Sequence, residues 1–476
     1  MKSHRRLSAT LLVAVLVMTL LAGCSSDPKV DAEADVVVVG AGGAGLAAAI
    51  EAADAGASVI VLEKMPFVGG NTRICGGLVP GVGTDLQKAS GIEDSPEKYA
   101  QDILLANGNT GDVDLIRVAT EEAAQFIPWF ESLGAEFLKV LPFPGNSVER
   151  LHLEKSLSGA GLVKVLEDAV KARNVEIMME TTVTSLVKNS DGAITGVKAT
   201  TKDGTEITIG AKAVILAAGG FAGNKEMLEQ YIPAMKDAGL LGHSGNIGDG
   251  IRMGIEVGAD VAYMDAYCPH AAVNPEKTML ISWEMIMRGG ILVNEAGERF
   301  VDETLGYAKC APILAEQTNG KAYLVFDDNV VAKVEKAATY ESVTKHADSV
   351  EALAETIGVD PVALKDTITA YNDGVAAGED GFGRTYFGEP IDEGALHAIE
   401  VKTFLLFTTG GLRIDTAAQV LDTNGVPIPG LYAAGENAGT SVAGVGFDGY
   451  ITGEGLLSAL AFGRIAGREA AKLVAE

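Results

Sequence analysis

Unbroken apolar runs, helical spacing and strict alternation follow one another along this chain and predict its elements in order. Val36, Val37, Val38 and Val39 make a run with no polar side, as a strand covered on both faces requires. The run ends in Gly40-Ala41-Gly42-Gly43-Ala44-Gly45; small apolar residues then predict a helix over 42–55 and a second strand over 58–62, closing on Glu63. Residues 96–107 and 112–133 have helical spacing, with Ser95 and Gly111 at their boundaries. A further helix over 161–173 puts Leu162, Val165, Leu166 and Val170 on one face. A short apolar strand at 175–179 follows. Period-two alternation at 182–188, 196–201 and 206–209, across turns at 189–192 and 202–204, predicts an antiparallel meander. Residues 213–217 read as one more buried strand, ending in Gly219-Gly220.

From about 263 to 407 the texture changes to helices (349–357 and 361–376) mixed with loops and denser aromatics. Leu431-Tyr432-Ala433-Ala434-Gly435-Glu436 then restores the strand-to-glycine pattern, and a last helix is predicted over 455–474. The economical reading is an α/β nucleotide domain split by an inserted cap. Its chemistry is carried by Gly40, Gly42 and Gly45, which form G-x-G-x-x-G between a strand and a helix. Glu63 lies about 20 residues beyond, where a carboxylate takes a ribose hydroxyl. Glycine lets the backbone approach a pyrophosphate, and the helix start turns its positive end toward it. The chain is read as binding a dinucleotide.

Composition adds a location and removes some partners. Lys2, Arg5 and Arg6, the apolar stretch 11–21 and Leu21-Ala22-Gly23-Cys24 resemble a bacterial lipoprotein signal. The expectation is a signal peptide over 1–23, a lipid on Cys24 and a tether over 24–33, holding the protein outside the cytoplasm at the cell surface or in the periplasm. Removing those three residues from the 37 basic ones leaves 34 against 64 acidic, a net charge of −30. Such a surface repels nucleic acid, and disfavours anionic substrates unless a local basic pocket overrides it. Cys75, Cys268 and Cys310 make no disulfide framework and have no spacing for zinc or an iron–sulfur centre, and no C-x-x-C-H stands ready for haem. No metal site is expected.

Several blocks in order resemble the flavoprotein subunits of fumarate reductase and succinate dehydrogenase, especially their soluble periplasmic relatives. They are Gly40 to Gly45, Glu63-Lys64, Gly69-Gly70-Asn71-Thr72, Ala217 to Phe221, Gly248-Asp249-Gly250, Arg288 to Asn294 with Arg299 to Glu303, and Gly430 to Glu436. The resemblance implies a Rossmann-like, glutathione-reductase-type FAD-binding domain over 34–262 and 408–476, split by an α+β capping domain over 263–407. It implies FAD held by Gly40, Gly42, Gly43, Ala44, Gly45, Glu63 and Lys64, then by Gly69, Gly70, Asn71, Thr72, Gly76 and Gly77. Ala218, Gly219, Asp249 and Glu436 would complete the set, with Gly455, Leu456 and Leu457 bringing a helix N-terminus to the flavin's N1/O2 edge. Family members with covalent FAD use a histidine in the segment after the second strand. None stands between Glu63 and Gly77, so non-covalent FAD is expected.

The family's dicarboxylate-binding positions are not kept. Aligned through Asp302-Glu303, the proton-donating arginine falls at Tyr307; the carboxylate-binding arginine falls at Tyr450. One histidine becomes Phe407, just before Thr409 and Gly410, and the other becomes Cys268, with His270 two residues away. Glu284 and Arg288 retain the charges of the family's proton path or form an ordinary helix ion pair. A buried dianion without cationic partners costs several kcal/mol, so a neutral, planar, carbonyl-bearing substrate is expected. The implied reaction moves hydride from flavin N5 to an activated C=C bond, with Tyr307 protonating the neighbouring carbon. Electrons would come from a separate cytochrome, FMN protein or quinone-linked carrier. Two other readings stand beside it: a dehydrogenase running the reverse way, as in the related ketosteroid enzymes, and a flavin electron-transfer lipoprotein with no substrate of its own.

Overall fold

A strand with no polar face must be covered on both sides, and β1 (Ala32–Val39) sits inside a parallel sheet with Val36, Val37 and Val38 fully buried. The structure, a computed structural model, describes residues 30–236, 238–384, 386–392, 395–440 and 449–475. The expected leader and Cys24 lie outside the described residues. From β1 the chain passes through α1 (Gly43–Asp54) to β2 (Val59–Leu62), paired parallel from Val36↔Val59 to Val39↔Leu62. α2 (Gly159–Ala172) feeds β3 (Glu176–Met178), parallel to β2. β4 (Thr182–Lys188) and β5 (Ile194–Thr200) make the expected meander with β6 (Glu206–Leu216).

The two strands expected at 206–209 and 213–217 are one continuous strand. Gly210 looks like punctuation in the sequence, but it pairs with Gly196 on one side and Glu33 on the other. The first half of β6 closes the meander while its second half runs parallel beside β1, ending at Val39↔Leu216.

The intervening segment builds a second, seven-stranded sheet from β7 (Tyr267–Asn274), β8 (Ile291–Val293), β9 (Lys321–Asp327) and β10 (Leu396–Thr408) with three short strands, and α3 (Tyr307–Ala315) lies between β8 and β9 in the chain. One short strand, Gly239–Leu240, precedes this segment yet pairs with β10. Alternation covers both faces: Leu324 and Phe326 join one apolar cluster, Tyr323 and Val325 another. Behind β8, the fully buried Glu303 takes Arg299 at 2.7 Å and Arg384 at 3.1 Å, and its Oε1 accepts from Leu292 N–H at 3.0 Å. Its carbonyl accepts from Trp283 Nε1 at 3.2 Å. The motif Arg299 to Glu303 is therefore a buried ion cluster fixing the wall of the neighbouring cavity.

The chain then returns to the first sheet as β11 (Pro427–Ala433), parallel to β6 through Leu431↔Val214. The last helix, α4 (Glu454–Ala475), lays Gly463 and Gly467 against Ala44 and Ala48 of α1, an all-small crossing that brings the two helices together. The fold is an α/β nucleotide-binding sheet with an inserted cap. No helix among the described residues is long and apolar enough to cross a membrane.

Candidate active site

Open parallel sheets bind ligands beyond their carboxyl-terminal strand ends. Here the ends of β1, β2, β6 and β11 open into a cavity of about 460 Å³. That lies within the ~300–1,000 Å³ usual for a small-molecule or cofactor site. Gly40 has φ of +103°, and a Cβ there would collide with the Ala217 carbonyl; one on Gly45 would collide with the Gly40 carbonyl. α1 therefore starts hard against the end of β1, while the space over Gly42 is open. A phosphate fits that opening.

Side chains continue the groove. Glu63 accepts from Ala41 N–H and Met65 N–H, both at 2.8 Å, and Lys64 pairs with Asp249 at 2.6 Å. Asn71 donates to Glu436 at 2.6 Å and accepts from His243 N–H at 2.6 Å. Glu436 also accepts from Gly220 N–H at 3.1 Å and Asn246 at 2.9 Å. Burial pushes its carboxyl up to about 7.

Beyond Glu436 the cavity becomes aromatic. His270 stacks on Tyr307 with ring centres 4.4 Å apart and planes 18° from parallel; Trp283 meets both edge-on at 5.9 and 6.0 Å. Tyr450 follows Tyr307 at 6.0 Å, and Phe407 meets Tyr450 at 5.7 Å. His270 Nδ1 accepts from Ala272 N–H at 3.0 Å, so the ring's proton belongs on Nε2. Burial pulls this histidine down to about 3, keeping it neutral. The same desolvation drives the Tyr307 and Tyr450 phenols up, so both stay protonated. Glu454, in the first turn of α4, is also buried, accepts from Ile451 N–H at 3.0 Å and is raised by desolvation.

Of the expected cofactor contacts, all but Gly45, Gly69, Gly77 and Leu457 line the cavity. Gly45 packs behind β1's end; Gly69 faces Arg73 and Val163, and Gly77 faces the Ser158 backbone. Leu457 is fully buried in the core, one helix position past the lining Leu456. Tyr307, Tyr450, His270 and Phe407 line it together. Cys268 does not: it is fully buried, and register shifts at Cys268/Pro269 and His270/Val273 interrupt the alternation of β7. Thr409 and Gly410 lie off the cavity too; Thr409 N–H donates to the Ala266 carbonyl and Gly410 packs on the Tyr263 backbone. Glu284 and Arg288 also stand off the cavity and form a 3.6 Å ion pair across one helical turn.

Sequence reasoning passed over Trp283, Tyr340, Lys336 and Glu454. Trp283 is one of two tryptophans, which was a usable signal. Lys336 sits in a run resembling a solvated helix face, and Glu454 looks like an ordinary acidic first-turn residue; their burial comes only from the fold.

Residues 35–455 match the family model described as "FAD binding domain". A fumarate reductase (cytochrome) of Shewanella frigidimarina is 36% identical over 443 residues, 92% of this chain and 77% of that protein. The open conformation of a flavocytochrome c3 fumarate reductase superposes with a TM-score of 0.80 at 33% identity, covering 97% of this chain and 81% of that one. The 3-ketosteroid-Δ4-(5α)-dehydrogenase of Rhodococcus jostii RHA1, in complex with 4-androstene-3,17-dione, gives 0.75 at 30% identity, covering 94% and 99%. FAD is the cofactor, and the open space over Gly42 and the carboxylate of Glu63 fit it.

Glu436 gives the flavin-free protein a signed pH dependence. Its folded-state value of about 7 lies above the ordinary 4.5. Below 4.5 both states hold the proton; between 4.5 and 7 only the folded state does, so its contribution is lost as pH rises through that window. Thermal melts of flavin-free protein should show a fall in midpoint across it that Glu436→Gln flattens. An unchanged slope in Glu436→Gln would contradict the assignment.

Proposed function

The chain belongs to the fumarate reductase and succinate dehydrogenase flavoprotein family, and we propose that it reduces an activated C=C bond in a planar, carbonyl-bearing substrate uncharged at its reacting end. FAD, when bound, supplies the hydride. The observation that carries the reading is the neutral aromatic end, where His270, Tyr307, Tyr450 and Phe407 stand together without an ionised side chain among them. A dianion placed against those rings would find no cation among them to offset its desolvation. The ketosteroid relative, whose structure holds a neutral diketone, occupies the same fold.

His270 Nε2–H would hydrogen-bond the substrate carbonyl, and the Tyr307 hydroxyl would protonate the carbon beside it. Phe407 and Trp283 exclude water from the same space. Desolvation keeps the Tyr307 phenol protonated, the form that can deliver a proton to carbon. One dinucleotide fingerprint serves the FAD, so a separate cytochrome, FMN protein or quinone-linked system is proposed as electron donor. A lipid on Cys24 would hold the protein at the cell surface or in the periplasm; Cys24→Ser should then release it to the soluble fraction, and unchanged membrane retention would contradict the anchor.

Dithionite-reduced holoprotein should be reoxidised anaerobically by planar enones, with Tyr307→Phe slowing turnover at least about tenfold. Reduced flavin that ignores a broad enone panel, or near-normal turnover in Tyr307→Phe, would contradict the reading.

A further inference from the structure

We propose that Lys336 forms an anion subsite in this cavity and selects substrates that carry one carboxylate remote from the reacting C=C bond. The inference rests on the reductase reading above and narrows its substrate class. Lys336 lines the cavity and donates to the Gly76 carbonyl at 2.5 Å. An ammonium has three donors, and no carboxylate among the described residues lies within ion-pair distance of this one. Glu335 pairs with Lys139 at 2.5 Å, and Glu284, whose charge reaches Lys336 only through space, lies 3.6 Å from Arg288. A partly buried cation with no carboxylate in contact is costly, and an arriving anion reduces that cost.

The rest of the lining joins Lys336 to the aromatic cluster through a run of neighbouring side chains. Tyr340, one turn on, accepts from Ser282 N–H at 3.0 Å. Trp283 follows Ser282, His270 and Tyr307 abut Trp283, and Tyr450 abuts Tyr307. A rigid conjugated molecule lying on this wall with its enone at Tyr307 directs its far end toward Lys336. The protein's net charge repels anions at long range, so a local cation is what admits a negatively charged substrate. Desolvation also lowers the pKa of Lys336, the shift that an anionic partner would reverse.

The test compares para-carboxybenzalacetone with its methyl ester on FAD-loaded protein, reading binding from the oxidised flavin spectrum and turnover from reoxidation after dithionite. Wild type should bind the carboxylate at least about tenfold tighter than the ester, the scale of a charged hydrogen bond. Lys336→Gln should collapse that preference to within about twofold, and Lys336→Arg should restore most of it. Equal wild-type affinities, or an equal loss for both probes in Lys336→Gln, would overturn the subsite and leave the reductase reading in place. A Lys336-dependent spectral preference with neither probe reoxidising the flavin would support the subsite and overturn the reductase reading.

Discussion

Desolvation where the two sheets meet is the constraint on which the site depends. The strand ends of the nucleotide sheet and the inner face of the cap enclose one cavity, and His270, Tyr307 and Tyr450 at its aromatic end are pushed to their neutral forms. A histidine that would carry charge near neutrality in water becomes a stacked, uncharged ring with one N–H to offer. Two phenols keep their protons and stay uncharged. What distinguishes this pocket chemically is thus set by burial more than by any single contact.

Holding such a pocket open requires a rigid frame behind it. On one side the all-small contact of α1 with α4 brings two helix N-termini to the cavity edge. On the other, Glu303 gathers two arginines and carries the Trp283 indole on its carbonyl. Buried ion clusters give little net stability, but removing one partner strands the others. Their worth here is positional, because Trp283 is the edge against which His270 and Tyr307 pack.

Much of this was legible in the sequence, for identifiable reasons. The valine run, the glycine fingerprint and Glu63 are local signals, and the groove they predict is where the structure has it. Tyr307, Tyr450, Phe407 and His270 were reached by counting from family motifs, and they share one wall. Failures cluster where side-chain direction matters. Leu457 and Cys268 stand within two residues of lining positions but face the core, since one helix step or one β-bulge turns a side chain away. Lys336 was invisible because its partner is a main-chain carbonyl far away in the sequence. The continuity of β6 was hidden by a glycine whose role is pairing, not breaking.

The most direct test of the central claim is ligand titration of the oxidised holoprotein, followed by the flavin absorbance band. A neutral planar enone should perturb the band at concentrations where fumarate and succinate leave it unchanged. Saturable perturbation by either dicarboxylate, at lower concentration than by any uncharged enone, would contradict the account.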